Sequence, residues 1–138
     1  MSSFVHLHVH SYYSVLDGMS SISGLVDKAT KSGMNAIALT DHGNMFGVKE
    51  FFNYAKKKNG KVKDQIKAIE KELKADGLHG ERKAELEKQL AEAKSHLFKP
   101  ILGCEAYVSR NSRTSKSQPE VRSGYHLVLL AKNKTGYR

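Results

Sequence analysis

Seven residues near the amino terminus, Phe4-Val5-His6-Leu7-His8-Val9-His10, alternate apolar and imidazole side chains. Strict alternation is the signature of a β-strand, because successive side chains point to opposite faces. Val5, Leu7 and Val9 then share one face and His6, His8 and His10 the other, close enough for neighbouring imidazoles to reach one cation. Further polar groups stand at the ends of other apolar stretches: Asp17 just past the histidines, Asp41 and His42 after a buried-looking run, Glu105 within another, and His126 in a last one. Imidazoles mixed with carboxylates suit zinc, manganese or iron better than calcium or magnesium. Several such sets with carboxylates able to bridge suggest more than one ion.

Each residue also has a plainer reading. Asp41, ahead of His42-Gly43, fits either a helix cap or turn, or a group that supports a ligand through a hydrogen bond. His6 is read as such a supporting residue. Glu105 is harder to explain without a cation, since a carboxylate among Leu102, Cys104 and Ala106 is costly to bury. Cys104 alternates away from Glu105 and is read as core.

The elements that must position these groups follow from apolar spacing. Ser20 to Gly33 carries Leu25, Val26 and Ala29 between serine caps and a closing glycine, as a short amphipathic helix does. Ala36 to Thr40 is a continuous apolar run, suited to a parallel strand buried on both faces. Strand, helix, strand at this spacing predicts a βαβ unit. A second helix is predicted around Val48, Phe51, Phe52 and Ala55. Residues 61–97 then carry two narrow seams, Val62, Ile66, Ile69, Leu73 and Leu86, Leu90, Ala93, Leu97, separated by Asp76-Gly77-Leu78-His79-Gly80, which predicts an antiparallel helical hairpin. Strands are predicted at 100–108 and 125–131, with a mobile polar loop over 109–124. The whole is an α/β sheet with an inserted element, its chemistry gathered at the carboxyl ends of strands.

Size and charge narrow the function. The 138 residues fit one domain. The net charge of +9 invites a nucleic-acid reading, but between Lys56 and Lys99 thirteen Lys/Arg face eight Asp/Glu, so more than half of the excess belongs to this one insertion-like segment and reads as solvated surface. No apolar run approaches the roughly 20 residues that span a bilayer, and no secretory signal pattern opens the chain. With one cysteine, Cys104, no internal disulfide can form. The expectation is a cytoplasmic protein without a membrane partner.

Four motifs in order resemble the polymerase and histidinol phosphatase (PHP) family, in its polymerase branch: His6-Leu7-His8-Val9-His10-Ser11 with Ser14 and Asp17-Gly18; Leu39-Thr40-Asp41-His42-Gly43-Asn44-Met45-Phe46-Gly47; Lys99 to Val108; and His126 to Ala131 with Thr135-Gly136-Tyr137. The resemblance implies an irregular seven-stranded (βα) barrel whose mouth holds up to three divalent ions, zinc or manganese. It places His8, His10, Asp17, His42, Glu105 and His126 on the family's ligand positions. It further implies phosphoester hydrolysis by a metal-bridging hydroxide, as a 3′–5′ exonuclease within a parent polymerase, with DNA and other replisome subunits as partners. The family's later ligands, including a distal Asp-x-His, have no counterpart here. The chain is therefore expected to be the amino-terminal part of a larger subunit, to hold metal more weakly than a whole domain, and to self-associate. Two other readings stand beside this one: a structural module stabilised by metal without catalysis, and a stand-alone phosphatase.

Overall fold

The computed structural model describes residues 4–75, 80–112, 114 and 124–138. Helix α1 (Ile22–Lys31) starts where the Ser21 side chain accepts the Gly24 N–H at 3.1 Å and ends at Gly33, whose φ of +79° suits glycine. Its buried residues Ile22, Val26 and Ala29 step by four and three, so one face meets the sheet. Strand β1 (Ala36–Leu39) is buried along its whole length. Helix α2 (Val48–Lys58) presents Val48, Phe51 and Ala55 inward. Phe51, 1% exposed, contributes about 1.5–3 kcal/mol by leaving water. These side chains with Phe98 form the core between helices and sheet.

Strand β2 (Lys99–Val108) pairs parallel with β1, Ala36 against Lys99 through Leu39 against Leu102. Strand β3 (Tyr125–Leu130) pairs antiparallel with β2, Gly103 against Leu130 through Val108 against Tyr125. A short helix (Lys134–Tyr137) follows β3. The described residues thus form a three-stranded sheet in the order β1-β2-β3 rather than a barrel. Most of the polar loop expected over 109–124 lies outside the described residues.

The histidine segment departs from expectation. Residues 4–10 run beside β1 as irregular chain with a bend at His8, without forming a regular ladder. Ala38 N–H donates to the His6 carbonyl at 2.8 Å and Thr40 N–H to the Val9 carbonyl at 2.9 Å. The two-residue step from Ala38 to Thr40 therefore faces a three-residue step, His6 to Val9, in the segment. The extra residue breaks the register as a bulge does, and Thr40 Oγ1 takes the Val9 N–H at 2.8 Å. Val9 packs on the core, whereas Leu7, expected inside with it, stays 48% exposed.

Helix α3 (Gly60–Leu73) follows α2 after the single residue Asn59 and packs on α4 (Glu81–Ser95). Ion pairs Glu72–Arg82 at 3.2 Å and Glu70–Lys94 at 3.4 Å join the two helices. Ile66 and Leu86 are buried, and Val62, Ile69, Leu73, Leu90, Ala93 and Leu97 half-buried. The predicted turn at 76–80 lies, except for Gly80, outside the described residues.

The base of this insertion is closed by a side chain. Asn59, buried at the junction of α2 and α3, accepts the Phe98 N–H at 2.9 Å and donates to the Phe98 carbonyl at 2.7 Å. Replacing residues 61–96 by a short flexible linker should therefore leave a cooperatively unfolding α/β part, seen by denaturant titration. Asn59→Ala in the intact chain should cost about 2–4 kcal/mol, because two buried backbone groups lose their partners. Loss of cooperative unfolding in the shortened protein would place the hairpin in the core.

Candidate metal centre

Glu105 is the hub of the polar cluster, and its backbone explains its place. Past Leu39 the chain leaves the ladder and rejoins it at His42, which bridges Glu105 in the parallel sense. Glu105 N–H donates to the Asp41 carbonyl at 3.1 Å and Gly43 N–H to the Glu105 carbonyl at 2.8 Å. His42 is thereby fixed beside Glu105 at the carboxyl end of β1. His126 arrives by a different route from the one expected. His126 is the second residue of β3, and it is the antiparallel direction that brings this start of the strand beside the carboxyl end of β2, opposite Tyr107.

The Glu105 side chain is 7% exposed. Its Oε2 lies 2.9 Å from His8 Nε2, 2.6 Å from His10 Nε2 and 4.0 Å from His42 Nδ1, while Oε1 lies 2.8 Å from His126 Nδ1. Burial raises the Glu105 pKa, but the hydrogen bonds from His8 and His10 and the nearby imidazole charge outweigh it and hold the carboxyl at about 2. His42 Nδ1 also meets Asp17 Oδ2 at 2.7 Å. The six residues expected together thus converge, in three overlapping sets whose ligand atoms lie within 4.8 Å: His8, His10, Glu105; His10, Asp17, His42; His42, Glu105, His126.

The donors fit a divalent cation. His42 Nε2 is buried with no hydrogen-bond partner among the described residues, a costly arrangement for a polar atom unless something else occupies it. Imidazole nitrogens with carboxylate oxygens are the ligand chemistry of zinc and manganese. His6 stands apart from these sets: its ring packs edge-on against Phe4 with centroids 4.8 Å apart, and its carbonyl serves β1.

Asp41 is neither exposed nor a helix cap, since α2 begins at Val48. It is 1% exposed, and its Oδ1 accepts the Ser11 N–H at 2.7 Å, the Ser11 hydroxyl at 2.9 Å and the Ser14 hydroxyl at 2.7 Å. Gly47 makes room for it, as a Cβ there would stand 2.9 Å from Asp41 Oδ2. Asn44 Nδ2 donates to the carbonyls of Tyr13 and His42 at 3.1 and 3.0 Å. Spacing alone does not single out Ser11 or Asn44, because the first acts on the remote Asp41 carboxylate and the second on backbone carbonyls. Cys104 is half-buried, and burial raises its thiol pKa.

Tyr107, 58% exposed, borders the cluster with its ring centroid 5.0 Å from His42 and 5.1 Å from His126. Gly43, with φ of +67°, lies against that ring, and a Cβ would come within 2.9 Å of it. Gly43 thus serves both a left-handed turn and close approach.

A family model described as "PHP domain" matches residues 6–138. The chain is 38% identical over 138 residues to DNA polymerase III subunit alpha of Borreliella burgdorferi, covering 99% of this chain and 9% of that protein. It is 42% identical to the subunit of Treponema pallidum and 35% identical to that of Chlamydia pneumoniae, in each case over 99% of this chain and 8% of the relative. The chain therefore spans less than a tenth of the length of these curated relatives.

The depressed Glu105 pKa sets a pH dependence. A carboxyl with a lower pKa folded than unfolded stabilises the fold above the unfolded value and loses that contribution as pH falls through the folded one. Metal-free protein should lose up to about 3 kcal/mol between the ordinary carboxyl value of 4.5 and about 2. Denaturant titrations across that range should show this loss reduced in Glu105→Gln. Parallel profiles for the two proteins would remove Glu105 from acid unfolding.

Proposed function

Because the chain belongs to the PHP domain family, we propose that it is the opening part of a DNA polymerase III alpha subunit, in which the Glu105 cluster binds divalent cations for phosphoester hydrolysis. The observation that carries this reading is the convergence of four imidazoles and the carboxylates of Asp17 and Glu105 in three sets that share members. His8, His10, Asp17, His42, Glu105 and His126 are the ligands in this proposal, and zinc or manganese the ion, with up to three in a complete seven-stranded barrel. A bound cation would supply Lewis-acid charge to phosphate oxygens and lower the pKa of water. Glu105 supplies negative charge to two of the three sets, and His42 is held by Asp17 through Nδ1 with its other nitrogen available.

Removal of a 3′-terminal nucleotide is the reaction proposed for the parent subunit, with DNA as substrate, other replisome subunits as partners and the cytoplasm as its setting. No described helix is long and apolar enough to cross a membrane. The burial of Glu105 favours a second reading, in which cations hold the fold without catalysis. Zinc titration calorimetry on this chain, with nucleotide release from a 3′-labelled single strand measured on the parent subunit, separates the two. His10→Ala should weaken cation binding beyond the roughly 10–100-fold that supporting residues cost and remove the release of nucleotide. Binding without any release would favour the structural reading, and no binding would end both.

Self-association of the 138-residue chain is a further part of the proposal. Tyr125, Leu127 and Leu129 share one face of the edge strand β3 and are 60, 49 and 52% exposed. Exposed apolar edge strands pair readily with other chains. Light scattering should show mass rising with concentration, and Leu127→Lys should lower it. A constant monomer mass would refute this part.

A further inference from the structure

Ser14 joins the two sides of the Asp17–His42 pair. Its side chain is 1% exposed, and its hydroxyl has one proton to give and lone pairs to accept with. The proton goes to Asp41 Oδ1 at 2.7 Å, and the hydroxyl oxygen accepts the His42 N–H at 3.0 Å. The backbone of the same residue serves the other partner: the Ser14 carbonyl accepts the N–H groups of Asp17 and Gly18, both at 2.9 Å. One residue therefore anchors the main chain of His42 through its side chain and the main chain of Asp17 through its carbonyl. Asp41 holds it in place from below, at the end of β1.

The consequence lies at the far ends of the two side chains. Asp17 is borne on an outer loop with a 48% exposed side chain, and its neighbour Leu16 is fully exposed with φ of +74°. So exposed a carboxylate depends on the backbone of its loop for its position. Yet Asp17 Oδ2 meets His42 Nδ1 at 2.7 Å.

We infer that Ser14 is a positioning residue for the cation set His10, Asp17 and His42, holding the Asp17 loop in register with His42. The inference rests on the cation reading of the cluster, and its experiment keeps the two apart. Ser11 provides the control: its hydroxyl also donates to Asp41 and takes the Tyr13 N–H at 3.2 Å, but it has no hydrogen bond to Asp17 or His42. A purely structural role predicts that the two serines behave alike.

The test titrates the full 138-residue chain with Zn²⁺ alone and, without metal, records the ¹⁵N shift of His42 Nδ1. Ser14→Ala should weaken zinc at the affected set by about 10–100-fold, the range for partners that orient ligands, and should move the His42 Nδ1 resonance. Ser11→Ala should leave both near the wild-type values while lowering stability. Ser14→Cys, slightly larger and with only a weak donor and acceptor, should fall between and serves if Ser14→Ala does not fold. Wild-type affinity and shift in the Ser14 variants, or equal changes in Ser11→Ala, would overturn the inference. If the unaltered chain takes up no zinc, the cation reading fails, and the His42 shift alone decides whether Ser14 positions the pair.

Discussion

A carboxylate in the interior of a β-sheet is unstable company for apolar side chains, and Glu105 dictates its surroundings for that reason. Left alone it would take a proton or draw in water. Instead four imidazoles converge on it from three segments, two of them sharing a single carboxylate oxygen. Each comes from a different kind of backbone: an irregular segment, the end of a parallel strand and the start of an antiparallel one. The bulged run at residues 6–9, the bridge at His42 and the direction of β3 are the three arrangements that place them there.

Asp41 answers the same problem by other means. Equally buried, it is neutralised by hydroxyl and amide hydrogens rather than by imidazoles. The two carboxylates are linked through backbone, since Glu105 N–H reaches the Asp41 carbonyl. One end of the sheet therefore holds two buried acids in series, one binding the outer loop and the other facing the cluster. Stability and chemistry draw on the same residues here, as is common where strained or polar sites are built into a core.

Much of this was legible in the residue order, for reasons specific to each element. Leu25, Val26 and Ala29, or Val62, Ile66, Ile69 and Leu73, declare a helix face because apolar residues repeat with the helical period. The apolar run 36–39 declares a doubly covered strand. The ligand candidates were visible because histidine and acid side chains are out of place beside such runs. Local pattern has no access to strand direction, however, so the antiparallel course of β3 that carries His126 to the cluster was not legible. Nor does alternation report a bulge, which is why Leu7 was expected inside. Asn59 and Ser11 escaped notice because their partners are remote in sequence or belong to the backbone.

The Asn59–Phe98 pair also bears on the order of folding. Strand β2 must find β1 across the whole stretch from residue 40 to residue 98, a separation that slows assembly because closing a long flexible loop costs entropy before any contact is gained. Helices α3 and α4 form through contacts close in sequence and can be organised first. Once they are, the chain between Asn59 and Phe98 is no longer a loose loop but a folded arm with both ends brought toward each other. The arm then acts as a built-in splint, delivering Lys99 to the edge of Ala36 and leaving the strands to zip toward Glu105.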